Sequence, residues 1–250
     1  MWMMRWVLIL SLSLGFSPAS FAAITLTAAS SQSVHFTSVT VIDDVDHSII
    51  SLVKLTSSGT FVIYENSEGN NEFRISIADP AGLSFFYTKG GVIDIDSGLD
   101  ITTGEWWWLG VTYKTSTGAI KWYTRKVGTS TVNTATATNT SGMISGGGGT
   151  LGNIGKLTFC CGFYWGGSIG MTAIWQSQLT DQNMNNLMLS DNLRMCLQID
   201  PANLKECWVL DEIPTGSTST GTAYDIGPNR VNGTYTNSPT GAGASVTNYP

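Results

Sequence analysis

Apolar and polar positions along this chain alternate with the period of a β-strand. In Trp106-Trp107-Trp108-Leu109-Gly110-Val111-Thr112-Tyr113, positions 107, 109, 111 and 113 share one face and 106, 108, 110 and 112 the other. Phe73-Arg74-Ile75-Ser76-Ile77 alternates in the same way. Further short β-branched or aromatic runs stand at 34–36, 39–41, 49–55, 61–64, 83–87, 120–123, 157–159, 169–175 and 207–210. Gly, Asn, Asp or Pro turn residues bound them, and a spacing of about a dozen residues predicts a sandwich or barrel. One stretch breaks the pattern. Thr180 suits a helix N-cap, Asp181 suits the positive end of the helix, and Met184, Leu187 and Met188 follow at i, i+3, i+4. A short helix plugging one end of the sandwich is expected there. Residues 191–250 are turn-rich and expected to pack on the sandwich, with a Gly/Ala/Thr/Pro-rich tail fraying from about 238.

Composition narrows the function classes. The chain has 250 residues, 42% of them hydrophobic, so a sizeable core is available and wholesale disorder is excluded. Lys and Arg total 12 against 18 Asp and Glu, a net charge of −6, the wrong sign for a protein that tracks nucleic-acid phosphates. Residues 1–22 read as a secretory signal: Arg5 is the only charge, 6–16 are largely apolar, and Ser20 and Ala22 supply small residues at −3 and −1. The run is short for a membrane span, so an exported protein with no stable span after cleavage is expected, its sandwich covering 23–190. All four cysteines fall after the signal, which suits disulfides in an exported chain. Cys160 and Cys161 are adjacent, a poor spacing for zinc. Cys196–Cys207 is the favoured bridge, and pairing of either residue with Cys160 or Cys161 remains open.

At Gly104-Glu105-Trp106-Trp107-Trp108-Leu109-Gly110-Val111-Thr112-Tyr113 and Thr117-Gly118-Ala119-Ile120-Lys121-Trp122-Tyr123, the chain resembles the central hairpin of laminin-G-like, concanavalin-A-like domains. The segment from Ile174-Trp175 through Leu187 is similar to that family's closing strand and helix, and Ser31-Gln32-Ser33-Val34-His35-Phe36 to its opening strand. Trp208, Leu210, Asp211-Glu212, Asp225 and Asn232-Gly233-Thr234 resemble a segment that accompanies such domains in bacterial surface and phage virion proteins. The resemblance implies an all-β, antiparallel jelly-roll β-sandwich with one short C-terminal helix. Two positions depart from it. Lys114 stands where the family often has Asp, and Arg125-Lys126 where it often has an Asp-Gly turn, so a turn within 126–129 is expected instead.

Candidate chemistry is sparse. Glycosidases need paired carboxylates facing one cleft, and no Glu-x-Asp-x-(x)-Glu run is present. Asp94-Ile95-Asp96 and Asp211-Glu212 are the nearest approaches, and Gly166-Gly167-Ser168-Ile169-Gly170 only approximates a nucleophile elbow. No catalytic residue is assigned. Binding is better supported, because Trp and Tyr faces stack on sugars. Of the chain's 9 Trp, Trp107, Trp122 and Trp175 sit in core-type patterns. Phe163, Tyr164 and Trp165 lie between glycines and are the candidate ligand-binding loop. Asp43, Asp44 and Asp46 form a hard-oxygen cluster suited to Ca²⁺, the one cofactor with candidate ligands. The expectation is a secreted, non-catalytic module binding glycan or a cell surface. The alternative is a structural virion or surface-assembly protein with virion or cell-surface protein partners, including copies of itself as a homo-oligomer. An endo-glycosidase is the least favoured reading.

Overall fold

The computed structural model describes residues 19–39, 45–56, 61–68, 71–78, 82–88, 92–139, 151–157 and 163–246. In chain order its strands are β1 (Ala19–Leu26), β2 (Ser33–Phe36), β3 (His47–Leu55), β4 (Phe61–Glu68), β5 (Asn71–Ala78), β6 (Gly82–Thr88), β7 (Val92–Asp96), β8 (Trp106–Lys114), β9 (Ala119–Lys126), β10 (Asn133–Thr138), β11 (Leu151–Ile154), β12 (Gly167–Trp175), β13 (Leu204–Val209), β14 (Thr222–Ala223), β15 (Gly233–Thr236) and β16 (Thr240–Val246). The α-helix, α1, is Asp181–Ser190. The first sheet runs β10-β9-β8-β3-β12-β1-β16, with β13 also paired to β12; the second runs β14-β15-β2-β11-β4-β5-β6-β7. All named strand pairings are antiparallel, and the architecture is the expected jelly-roll β-sandwich.

The alternation in β8 divides the molecule into two cores. Trp107, Leu109, Val111 and Tyr113 enter the inter-sheet core with Val34, Phe36, Tyr64, Trp122, Ile154 and Tyr235. Trp108, on the opposite face, joins a second core with Leu52, Met171, Trp175 and the helical Met184, Leu187 and Met188. The helix therefore lies on the outer face of the first sheet, where an end plug was expected. That face supplies Leu52, Trp108, Met171 and Trp175, an apolar bed for the helix's buried stripe. Gly110 permits the contact, since a Cβ there would lie 2.3 Å from Met184 Cε. Thr180 caps the helix as expected, its hydroxyl accepting from the Asn183 N–H at 3.2 Å.

Arg125 explains one family departure. It is 4% exposed, its guanidinium pairs with both Asp191 oxygens (2.6 and 3.1 Å), and it donates to the last-turn carbonyl of Met188. Trp108 Nε1–H donates to the same Asp191 at 3.1 Å. A cation on β9 thus holds the carbonyl end of α1, where the helix dipole is negative. The turn after β9 forms within 126–129, closed by the Thr129 N–H on the Lys126 carbonyl at 3.2 Å.

The C-terminal residues join both sheets. β13 pairs with β12 through Met171↔Val209 to Trp175↔Leu204. β15 extends the second sheet through Tyr235↔Val34. Thr240–Val246 forms β16 against β1, where the composition suggested fraying; small residues carry little apolar signal, but their backbone can still pair. Residues 19–22 of the expected signal lie in β1 and pair only with β16, whereas the β1–β12 register begins at Ile24↔Ile169. Cys196 and Cys207 form the favoured disulfide, with Cα atoms 6.7 Å apart. Cys160 and Cys161 fall outside the described residues.

Candidate functional site

The structure corrects the aromatic loop. Leu157 N–H donates to the Phe163 carbonyl at 2.9 Å, Lys156 bridges Tyr164, and Trp165 N–H donates to the Gly155 carbonyl at 2.8 Å. The segment 163–165 is therefore the return arm of a paired ribbon. Trp165 turns into the inter-sheet core and is 0% exposed, so it offers no face to a ligand. Phe163 and Tyr164 are half-buried, and Lys156 Nζ lies 5.9 Å from the Tyr164 ring centroid. Of the glycines flanking the segment, Gly167 serves close packing: a Cβ there would sit 2.0 Å from the Lys54 carbonyl oxygen.

Of the acidic cluster, Asp43 and Asp44 lie outside the described residues. Asp46 forms an ion pair with Lys114, and its other oxygen accepts the Thr115 N–H at 2.9 Å. Burial pushes its carboxyl up, but the bonds from Lys114 and Thr115 outweigh this and hold it below its usual value. Lys114, the second family departure, thus supplies a built-in cation to Asp46. Neighbouring His47 is fully buried; burial drives its imidazole down to about 4 against the opposing pull of the Val45 carbonyl and Asp46. His47 Nδ1–H donates to that carbonyl at 2.8 Å.

Asp96, Glu212 and Asp225 have structural work. Asp96 accepts the Gly98 N–H at 3.0 Å, closing the turn after β7. Glu212 accepts the Tyr224 N–H at 2.7 Å and the Tyr235 hydroxyl, and burial raises its carboxyl above the usual value. Asp225 is 2% exposed and gathers the N–H groups of Cys207 (2.8 Å), Gly227 (2.7 Å) and Val231 (2.8 Å). Burial raises its carboxyl despite those bonds. Trp208 Nε1–H donates to the Val231 carbonyl at 2.7 Å, tying the same segment down. Ser168, in the approximate elbow, shares a 2.8 Å hydrogen bond with Thr25 and has no basic partner among the described residues.

A different surface gathers polar chemistry. The strand registers align Thr222↔Thr234↔His35↔Asn153↔Glu65 across β14, β15, β2, β11 and β4. Their strand neighbours Ala223, Tyr235, Val34, Ile154 and Tyr64 fill the inter-sheet core, so this row lies on the outer face. At normal strand spacing it spans roughly 19 Å. Thr222 and Thr234 are exposed, His35 is half-buried, and Asn153 and Glu65 are buried. Asn153 Nδ2–H donates to Glu65 Oε2 at 2.9 Å, which turns its amide oxygen to His35 Nδ1 at 3.0 Å. With the amide oxygen as acceptor, His35 donates from Nδ1, and Nε2 is the ring nitrogen on the other side of the imidazole. Tyr224, two residues after Thr222, continues its alternation just beyond β14 and is 54% exposed, the most exposed aromatic among the described side chains. The sequence carried a faint signal for it: Tyr224 and Thr222 flank Ala223 with strand alternation, inside a stretch that reads as turns.

No protein-family model and no curated protein matches the chain. Solved structures do. A Bacteroides ovatus protein assigned to carbohydrate binding aligns with TM-score 0.59 at 17% identity, covering 92% of this chain and 61% of its own. The chain thus spans under two thirds of that protein. The sialidase CBM40 module of Ruminococcus gnavus, solved with α2,3 sialyllactose, aligns with TM-score 0.52 at 12% identity, covering 69% of this chain and 99% of the module. A pentraxin from Limulus polyphemus aligns with TM-score 0.51 at 14% identity, covering 70% of this chain and 84% of its own. At these identities the likeness is one of fold, and it places the chain among jelly-roll sandwich proteins. Among the described residues, no helix is long and apolar enough to cross a membrane.

Proposed function

We propose that this protein is a secreted, non-catalytic glycan-binding module of the laminin-G-like type, with the outer face of the second sheet as its ligand face. The observation that carries the reading is Tyr224, 54% exposed beside the Thr222–Thr234–His35–Asn153–Glu65 row. A sugar ring has an apolar face for an aromatic platform and hydroxyls for fixed donors and acceptors. The hydroxyls of Thr222 and Thr234 and the Nε2 of His35 are the polar contacts, and buried Glu65 orients the His35 ring through Asn153. Carbohydrate-binding descriptions among the structural neighbours support the same class. Phe163 and Tyr164 form a lesser contact area. Ca²⁺ at Asp43, Asp44 and Asp46 requires displacement of Lys114 from Asp46.

A second reading, assembly into a virion or surface layer, draws on the exposed Leu189 (44%) and Leu197 (39%). A glycan array combined with size-exclusion chromatography separates the two. Saccharide binding by a monomer supports the module; self-assembly with no glycan bound supports the assembly protein.

A further inference from the structure

On the opposite side of the sandwich, a cavity of about 230 Å³ opens between α1 and the β9–β10 edge of the first sheet. Asp181, Asn185 and Leu189 line it from the helix, at i, i+4 and i+8, on a stripe distinct from the buried Met184, Leu187 and Met188. Lys121, Tyr123, Ser130, Val132 and Thr134 line it from the strand side. Its lining carries an organised polar network. Lys121 Nζ donates to both Asp181 oxygens (2.8 and 2.7 Å), and the Tyr123 hydroxyl donates to Asp181 Oδ1 at 2.7 Å. Tyr123 is 1% exposed, so its hydroxyl is a fixed anchor.

The chemistry of the lining selects a ligand class. Lys121 and Asp181 cancel each other's charge, so neither an anion nor a cation finds a net opposite charge. One Lys121 N–H and at least one Asp181 lone pair stay uncommitted after the bonds named. Asn185, Ser130 and Thr134 make no side-chain hydrogen bond among the described residues, and each offers both donor and acceptor capacity. That alternation suits a molecule whose every polar group is also both: a neutral polyol. Exposed Leu189 and half-buried Val132 supply an apolar wall for a C–H face. The volume falls below the about 300–1,000 Å³ of sites for drug-sized ligands, which limits the occupant to something near one ring.

We propose that this cavity is a second saccharide subsite, taking a single neutral pyranose ring. It rests on the glycan-binding reading for its ligand class, but it uses none of the residues around Tyr224. Two subsites on opposite faces would let one copy bridge two glycan chains, with an avidity gain that neither face gives alone.

The test is a methyl-NMR titration of leucine-labelled protein, with the Leu189 methyls as reporter. The probes are methyl α-D-mannopyranoside, methyl β-D-galactopyranoside and N-acetyl-D-glucosamine, with inorganic phosphate as the anion control. At least one sugar is expected to move the Leu189 signals saturably, in wild type and equally in Tyr224→Ala. Asn185→Ala and Thr134→Val, which remove no described hydrogen bond, should each weaken that binding about tenfold with an unchanged Tm. The subsite is overturned if no sugar moves Leu189, if phosphate alone does, or if both variants bind as wild type. Silent Leu189 signals in a protein that still binds a glycan array remove this subsite alone. Failure of both assays removes the glycan reading as well.

Discussion

Trp165 and Tyr224 both sit in stretches that read as turns, yet Trp165 is 0% exposed and Tyr224 is 54% exposed. Glycines surround Trp165 in the sequence, but its backbone pairs with Gly155, and pairing imposes strand alternation that turns the indole inward. Tyr224 has the same alternation with the opposite phase: Ala223 occupies the inward position and the ring faces out. Glycine around an aromatic reports backbone freedom or close packing; exposure is decided by strand phase.

The largest expected effect sharpens that contrast. Trp165→Ala should cost about 3–5 kcal/mol in urea unfolding, comparable with Trp107→Ala, whereas Tyr224→Ala should stay within about 0.5 kcal/mol of wild type. An unshifted midpoint for Trp165→Ala would return Trp165 to the surface. Arg125→Met should cost a similar figure of about 3–5 kcal/mol, because it leaves the largely buried Asp191 carboxylate without its cation. Adding Asp191→Asn should recover part of that loss, and a double variant no better than the single would show that the pair does not anchor α1.

A pH titration comes next. His47 is held near 4 in the fold, against an ordinary value of 6.5, so between those values the unfolded chain binds the proton and the fold does not. Its contribution is complete above pH 6.5 and is lost as pH falls toward 4, by roughly 3 kcal/mol for a shift of that size. The raised Asp225 and Glu212 carboxyls act in the opposite sense at the acid end. His47→Phe should flatten the slope between pH 4 and 6.5; an unchanged slope assigns it to other groups. The smallest effect is at the part-exposed Lys114–Asp46 pair, where Lys114→Ala should cost under about 1 kcal/mol. With Asp46 freed, the variant's Tm should respond more to added Ca²⁺ than that of wild type; equal responses would argue against the acidic loop as a calcium site.

The central parts of the fold were legible because they bury apolar side chains at a fixed period. The β8 alternation, the Met184–Leu187–Met188 stripe, the Thr180 cap and the Cys196–Cys207 bridge all follow from residue type and spacing. The edges were not legible. β10 is Asn-Thr-Ala-Thr-Ala-Thr, largely solvent-facing, and holds to β9 through backbone bonds that leave little hydrophobic signal. β14 and β15 are short and sit among turns, and the loop between them is tied down by Asp225 gathering N–H groups that come together only in the fold. The polar row draws on positions from 35 to 234, so no local motif could have revealed it.

The most direct test of the account is a side-by-side glycan array and thermal melt of wild-type and Tyr224→Ala protein. A ligand face on the outer second sheet predicts that Tyr224→Ala loses the wild-type array signal while keeping the wild-type Tm. An array profile unchanged by Tyr224→Ala, with wild type clearly binding, would place the ligand elsewhere and contradict it.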